Sequence, residues 1–197
     1  MSKTRTLLFR IALSAAFGVL MFWSDIIMDA LPNVHLLAMF IVTFTVVYRV
    51  WALLPIYVYV FLNGLFYGFT PTWIPNLYIW TVLWAIAMLI PRKMHPAVAM
   101  IVYILVCGLH GIAFGTLYAP MQIILFFDGN WSMLPTWIAF GLPYDVIHCI
   151  GNLCAGTLVL PLVKVLMRLP GAVPIKQKTN LKRKKLNDLP SDNRACG

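Results

Sequence analysis

From Val50 to Pro91 the chain carries no formal charge, and around that gap its charges are sorted by sign. Lys3, Arg5, Arg10, Arg49, Arg92, Lys93, Lys164 and Arg168 form one set; Asp25, Asp29, Asp128 and Asp145 form the other. The two sets alternate at about the spacing of a membrane crossing. With 61% hydrophobic and 11% charged residues, this is not the composition of a soluble domain, in which about a quarter of residues are charged. A spanning helix needs roughly 20 mostly apolar residues, so the chain has room for about six and little else. Unpaired backbone groups are too costly in lipid for anything but helices or a closed barrel. The expectation is an all-α polytopic membrane protein with six transmembrane helices.

Turn signals place the spans near Leu7–Ile27, His35–Tyr48, Trp51–Phe69, Asn76–Ile90, Pro96–Leu117 and Pro143–Arg168. The breaks are Asp29-Ala-Leu-Pro-Asn33, Arg49, the two prolines of Thr70–Pro75, and Pro91-Arg-Lys93, since proline cannot sit inside a regular helix without loss. The basic start followed by the apolar run Ile11–Trp23 imitates a secretory signal. No small-residue cleavage site follows cleanly, and the run reads as a retained first span. Basic loops stay on the cytoplasmic side. Six spans then put both termini in the cytoplasm, in a cell (plasma) membrane protein. Tyr118–Leu142 reads as a long, partly helical outer loop, with Pro143 as the first residue of the sixth helix.

Residues 1–169 form one membrane domain. Residues 170–197 are polar and basic, and read as a disordered cytoplasmic tail. The net charge of +9 suits anionic lipid headgroups rather than nucleic acid. Cys107, Cys149, Cys154 and Cys196 show neither a disulfide framework nor a metal spacing. No metal, cofactor or catalytic residue is assigned. Phosphate-binding loops, zinc-protease pairs and nucleophile elbows are all missing, so ATP-driven work would need another polypeptide.

The last span carries Asp145, His148 and Asn152 at i, i+3 and i+7, on one helix face. Polar groups at membrane depth usually face a bundle interior or a wet cavity. A plainer account puts Asp145 in a first turn against the helix dipole and gives His148 a neighbouring helix as hydrogen-bond partner. Gly108, Gly111 and Gly115 repeat the same spacing as a close-packing face. His110, Phe114 and Tyr118 lie on another stripe of that helix, where His110 could face the same cavity as His148, and Trp80 lies deep in the fourth. Ala12 and Ala16 make a small-residue face on the first span, ready for an internal or external helix.

Taken together, these residues resemble the substrate-binding S components of energy-coupling factor (ECF) vitamin transporters. The resemblance covers residues 5–169. It rests on size, six spans, the Ala12/Ala16 face, Tyr67–Pro75 as an outer loop, and Gly141-Leu-Pro-Tyr-Asp-Val-Ile-His-Cys-Ile-Gly-Asn152 as the opening of the last helix. It implies a protein without enzymatic activity that captures a small-molecule micronutrient from outside. It also implies docking through Ala12 and Ala16 on a transmembrane coupling subunit that carries two ATPase subunits. The pocket residues implied are Trp80, His110, Tyr118, Gln122, Tyr144, Asp145, His148 and Asn152. Aromatic and amide side chains of this kind suit a planar heteroaromatic ring. Two other readings fit the residues: a structural or regulatory membrane subunit using its basic tail, and an intramembrane enzyme using His110, His148 and Asp145 as acid and base.

Overall fold

The computed structural model describes residues 3–31 and 34–173. The basic tail beyond Val173 lies outside the described residues. The described chain is all-helical: α1 (Lys3–Met28), α2 (Leu37–Tyr48), α3 (Leu53–Tyr67), α4 (Asn76–Leu89), α5 (Pro96–Phe126), α6 (Leu134–Gly156) and α7 (Val159–Leu166). Five helical runs are long and apolar enough to cross a membrane, one of them the continuous run Leu37–Tyr67.

That run folds back on itself. Arg49, between α2 and α3, has φ 59° and ψ −122°, a left-handed conformation that breaks the helix. Were the run straight, His35 and Tyr59 would lie about 36 Å apart at 1.5 Å per residue. Instead, both reach the carboxylate of Asp25 at the end of α1, each at 2.9 Å. The two helices therefore form an open hairpin, splayed so that α3 packs on α1 and α4 rather than on α2, and its bend is held by side chains. The Arg49 guanidinium donates to the Met88 carbonyl at 2.6 Å, and the Trp84 indole donates to the Arg49 carbonyl at 3.2 Å.

α2 is apolar all round and almost wholly buried, as befits a helix at the centre of a bundle. α1, α4, α5, α6 and α7 pack around it. It is short, about 18 Å. The outward faces of the other helices carry Leu8, Ile27, Phe61, Leu89, Leu109 and Phe140, all exposed. An apolar exterior around a polar-containing interior is the pattern of a helix bundle in lipid.

α5 and α6 form one long antiparallel hairpin, and their register is set by glycine. A Cβ on Gly111 would lie 2.8 Å from Cys149 Cα and 2.9 Å from the His148 carbonyl oxygen; one on Gly156 would lie 2.8 Å from Ile104 Cα. Gly111 and Gly156 thus pack against backbone, while Gly108 and Gly115 make room for the side chains of Leu153 and Asp145. The hairpin changes the boundaries expected from the sequence. Residues 118–142 are not a long loop: α5 continues through Pro120 to Phe126 and α6 begins at Leu134. Pro143 lies inside α6, so Asp145 sits three turns into the helix, where no N-terminal dipole acts on it. Prolines are tolerated within such helices because neighbouring helices and local adjustments satisfy the freed carbonyls.

The charges sort to the two ends of the bundle. At the basic end, Arg10 lies over the Trp51 ring and donates to the Gly171 carbonyl at 2.9 Å. Arg92 donates to the Val173 carbonyl, and the Val173 amide donates to Val47 at 3.1 Å. Burial, with Arg49 beside it, lowers the Arg92 pKa from its ordinary value. The segment Pro170–Val173 is therefore strapped across the bundle, although the sequence assigns it to the tail. The opposite end carries Asp25.

The glycine seam is testable. Gly111→Ala should lower the melting temperature of the detergent-purified protein, at a cost of about 1–3 kcal/mol, because backbone atoms cannot move aside. Gly141→Ala, with nothing within 4 Å of the added carbon, should be neutral or stabilising by up to about 1 kcal/mol. Equal effects in a thermal-shift assay would contradict the register.

Candidate functional site

Six segments meet near Asp25 in a closed circuit of polar and aromatic side chains. Tyr59 of α3 donates to Asp25 Oδ2 at 2.9 Å, and His35 Nδ1 lies 2.9 Å from Asp25 Oδ1. The His35 ring meets His148 of α6 edge-on at 5.4 Å, and His148 meets Phe114 of α5 at 4.8 Å. Phe114 lies 5.6 Å from Trp80 of α4, and Trp80 lies 6.2 Å from Tyr59. His110 fills a corner, 5.6 Å from Trp80 and 6.1 Å from Phe114.

The local causes are simple. His110 and Phe114 are four apart on α5 and share a stripe. Asp145, His148 and Asn152 share one face of α6, and all three are buried. The glycine seam brings α6 close enough for the Gly115 amide to donate to Asp145 Oδ1 at 2.9 Å. Tyr118 stacks on Phe114 at 6.1 Å and donates to the Thr72 carbonyl at 2.6 Å, which ties α5 to the turn before α4. Asn76 accepts the Trp80 indole N–H at 3.1 Å.

Several buried polar atoms here have no hydrogen-bond partner. Both ring nitrogens of His110, 4% exposed, and both amide atoms of Asn152, 0% exposed, are in this state. The Ile79 backbone acts on His110 electrostatically but falls short of hydrogen-bond geometry. Gln122 is buried farther along α5, with its amide nitrogen also unpaired. Each such orphan costs about 1–3 kcal/mol, and groups of this kind call for an explanation.

Of the residues singled out from the sequence, Trp80, His110, Tyr118 and His148 come together around Phe114, and Asp145 and Asn152 flank His148 on its own face. Tyr144 does not join them: it is 60% exposed and lies on the outside of α6. Ala12 and Ala16 are both exposed, whereas Ser14 and Gly18 form the buried stripe of α1. A Cβ on Gly18 would meet Val58 Cγ1 at 2.4 Å, so the internal helix contact uses Ser14 and Gly18. Sequence reasoning placed Phe114 on the His110 stripe without assigning it to the site, and missed Asp25, His35 and Tyr59. The signal available was a lone carboxylate inside an apolar span, which demands a partner.

Among the described residues no group of three or more His, Cys, Asp or Glu could hold a metal ion. An apolar groove of about 470 Å³ runs along Val50, Trp51, Leu53, Leu54 and Tyr57 near the basic end. It shares no residue with the circuit. No protein-family model matches the chain, and no curated protein or solved structure does so either.

Two substitutions probe this interior. Asn152→Leu should raise the melting temperature, because it removes two unpaired buried atoms at similar volume; a fall would mean that the amide is satisfied. In a double-mutant cycle, Tyr59→Phe and Asp25→Asn should couple by about 1.5 kcal/mol. Additive effects on unfolding would show that the contact contributes nothing.

Proposed function

We propose that this protein is the substrate-capturing subunit of an ECF-type uptake transporter. It crosses the membrane six times, with the α2–α3 hairpin supplying two crossings and both termini in the cytoplasm. The observation that carries the reading is the circuit around Phe114: aromatic walls, imidazoles from three segments, and buried polar atoms left without partners. An interior held together for stability alone would have its polar groups paired or replaced by apolar ones. Concave apolar walls with a few convergent polar groups are how small-molecule sites are built.

In this reading a micronutrient enters from the outer face, at the end carrying Asp25, and ring stacking against Trp80 and Phe114 supplies most of the contact area. His110, His148 and Asn152 supply donors and acceptors that fix its orientation. The exposed Ala12/Ala16 face of α1 lets a coupling subunit approach closely, and two ATPases in trans drive release. No catalytic step is assigned to the protein itself.

The test is mass spectrometry of small molecules released from protein purified gently from cells grown in rich medium. One compound near equal stoichiometry is expected, lost in His148→Ala and retained in Tyr144→Ala, with unchanged melting temperatures. Its cellular uptake should stop when the partner ATPases are inactivated. Lipid and detergent alone, across several media, would overturn the reading in favour of a structural subunit.

A further inference from the structure

The charge inventory of the capturing end narrows what it can hold. Between Arg10 and Arg49, and again between Lys93 and Lys164, the sequence has no Lys or Arg, while Asp25, Asp29, Asp128 and Asp145 all fall in these stretches. The described basic side chains Arg10, Arg49 and Arg92 gather at the opposite end, on the Gly171, Met88 and Val173 carbonyls. Among the described residues, these guanidinium groups are therefore held away from the circuit, where they cannot neutralise a carboxylate or phosphate on a ligand.

Asp145 sharpens this. It is 5% exposed. Its hydrogen-bond partner is the Gly115 amide, and among the described residues the one ion pair joins His35 to Asp25. A buried carboxylate without a counter-ion is costly, and such groups are ordinarily paired. Close by on the same hairpin stand the unpartnered nitrogens of His110 and the unpartnered amide of Asn152. The ring faces of Trp80 and Phe114 lie beside them, and such faces attract cations.

Resting on the capture reading above, we infer that the captured molecule is a planar organic cation, whose positive charge pairs with Asp145 and whose ring stacks among Trp80, Phe114 and Tyr118. A cation of this class supplies the counter-charge that Asp145 lacks. Polar substituents on its ring would meet His110 and Asn152. An anion of the same shape would meet the carboxylates of Asp25 and Asp145, while Arg10, Arg49 and Arg92 are held at the opposite end.

The experiment measures the charge at pH 7 of the compound released from the wild-type protein, by mass spectrometry and electrophoretic mobility, and its retention by Asp145→Asn. A cation, with affinity for the Asn variant weaker by roughly 30-fold or more, is expected. A neutral or anionic compound would overturn the charge assignment while leaving capture intact. Release of lipid and detergent only would overturn capture itself, and the assignment with it. If Asp145→Asn does not fold, the wild-type protein decides through displacement of its bound compound by 1-methylnicotinamide, nicotinamide and nicotinate, which share a ring and differ in charge. Displacement at the lowest concentration by the cation supports the inference. Any other order, or no preference among the three, overturns it.

Discussion

The contact of α5 with α6 along glycine governs the arrangement of this bundle. Side chains at Gly108, Gly111, Gly115 or Gly156 would collide with Leu153, Cys149, Asp145 or Ile104 respectively. With hydrogens there instead, the two helices run antiparallel and come to backbone contact at Gly111 and Gly156. That closeness fixes which residues face each other. It sets Gly115 against Asp145, so that a main-chain amide can reach the carboxylate, and it puts Phe114 against His148. A register shift of one residue would rotate the circuit residues of the shifted helix, Phe114 and His110 or else His148, by about 100° and open the circuit there.

The second constraint is electrostatic, and it acts on the shorter helices. α2 is too short to span about 30 Å of hydrocarbon on its own residues. Its two ends are instead completed by charged anchors: His35 on Asp25 before it, and Arg49 on the Met88 carbonyl after it. Each anchor also bonds a second helix, so the ends that must be polar are the ends where the chain is pinned. Low dielectric makes these few contacts stronger than they would be in water, and it makes every unpaired polar group nearby dearer.

What could be read from the sequence was what one helix decides alone. The apolar runs, the alternation of charge, the Asp145/His148/Asn152 face and the glycine face each follow from spacing along a single segment. The boundaries near Pro120 and Pro143 could not be read that way, because proline is a boundary signal only when no neighbouring helix compensates for it, and here the hairpin does. Tyr144 was a pocket residue only by the resemblance of the Gly141–Asn152 stretch, and one residue along a helix from Asp145 is a turn of about 100°, enough to put it on the outside. Asp25, His35, Tyr59 and Phe114 come from four different segments. Nothing in their local spacing links them; only tertiary packing does.

The two ends of the bundle satisfy their polar groups differently, and the difference has a physical meaning. At the basic end, Arg10, Arg49 and Arg92 are held largely by main-chain carbonyls, which are acceptors fixed by the fold. At the other end main-chain bonds of Tyr118 and Asp145 stand beside side-chain pairs through Asp25, His35 and Tyr59, and His110 and Asn152 are left unpaired. Side-chain networks can re-pair when a new partner arrives; main-chain anchors cannot do so without unfolding a helix. Buried polar atoms without a partner occur at both ends, on Tyr48 and Arg49 as well as on His110 and Asn152, and each costs stability; at Asn152 Leu would restore it. The basic end is pinned to carbonyls that the helices fix in place, and the end around Phe114 holds the side chains that can exchange partners.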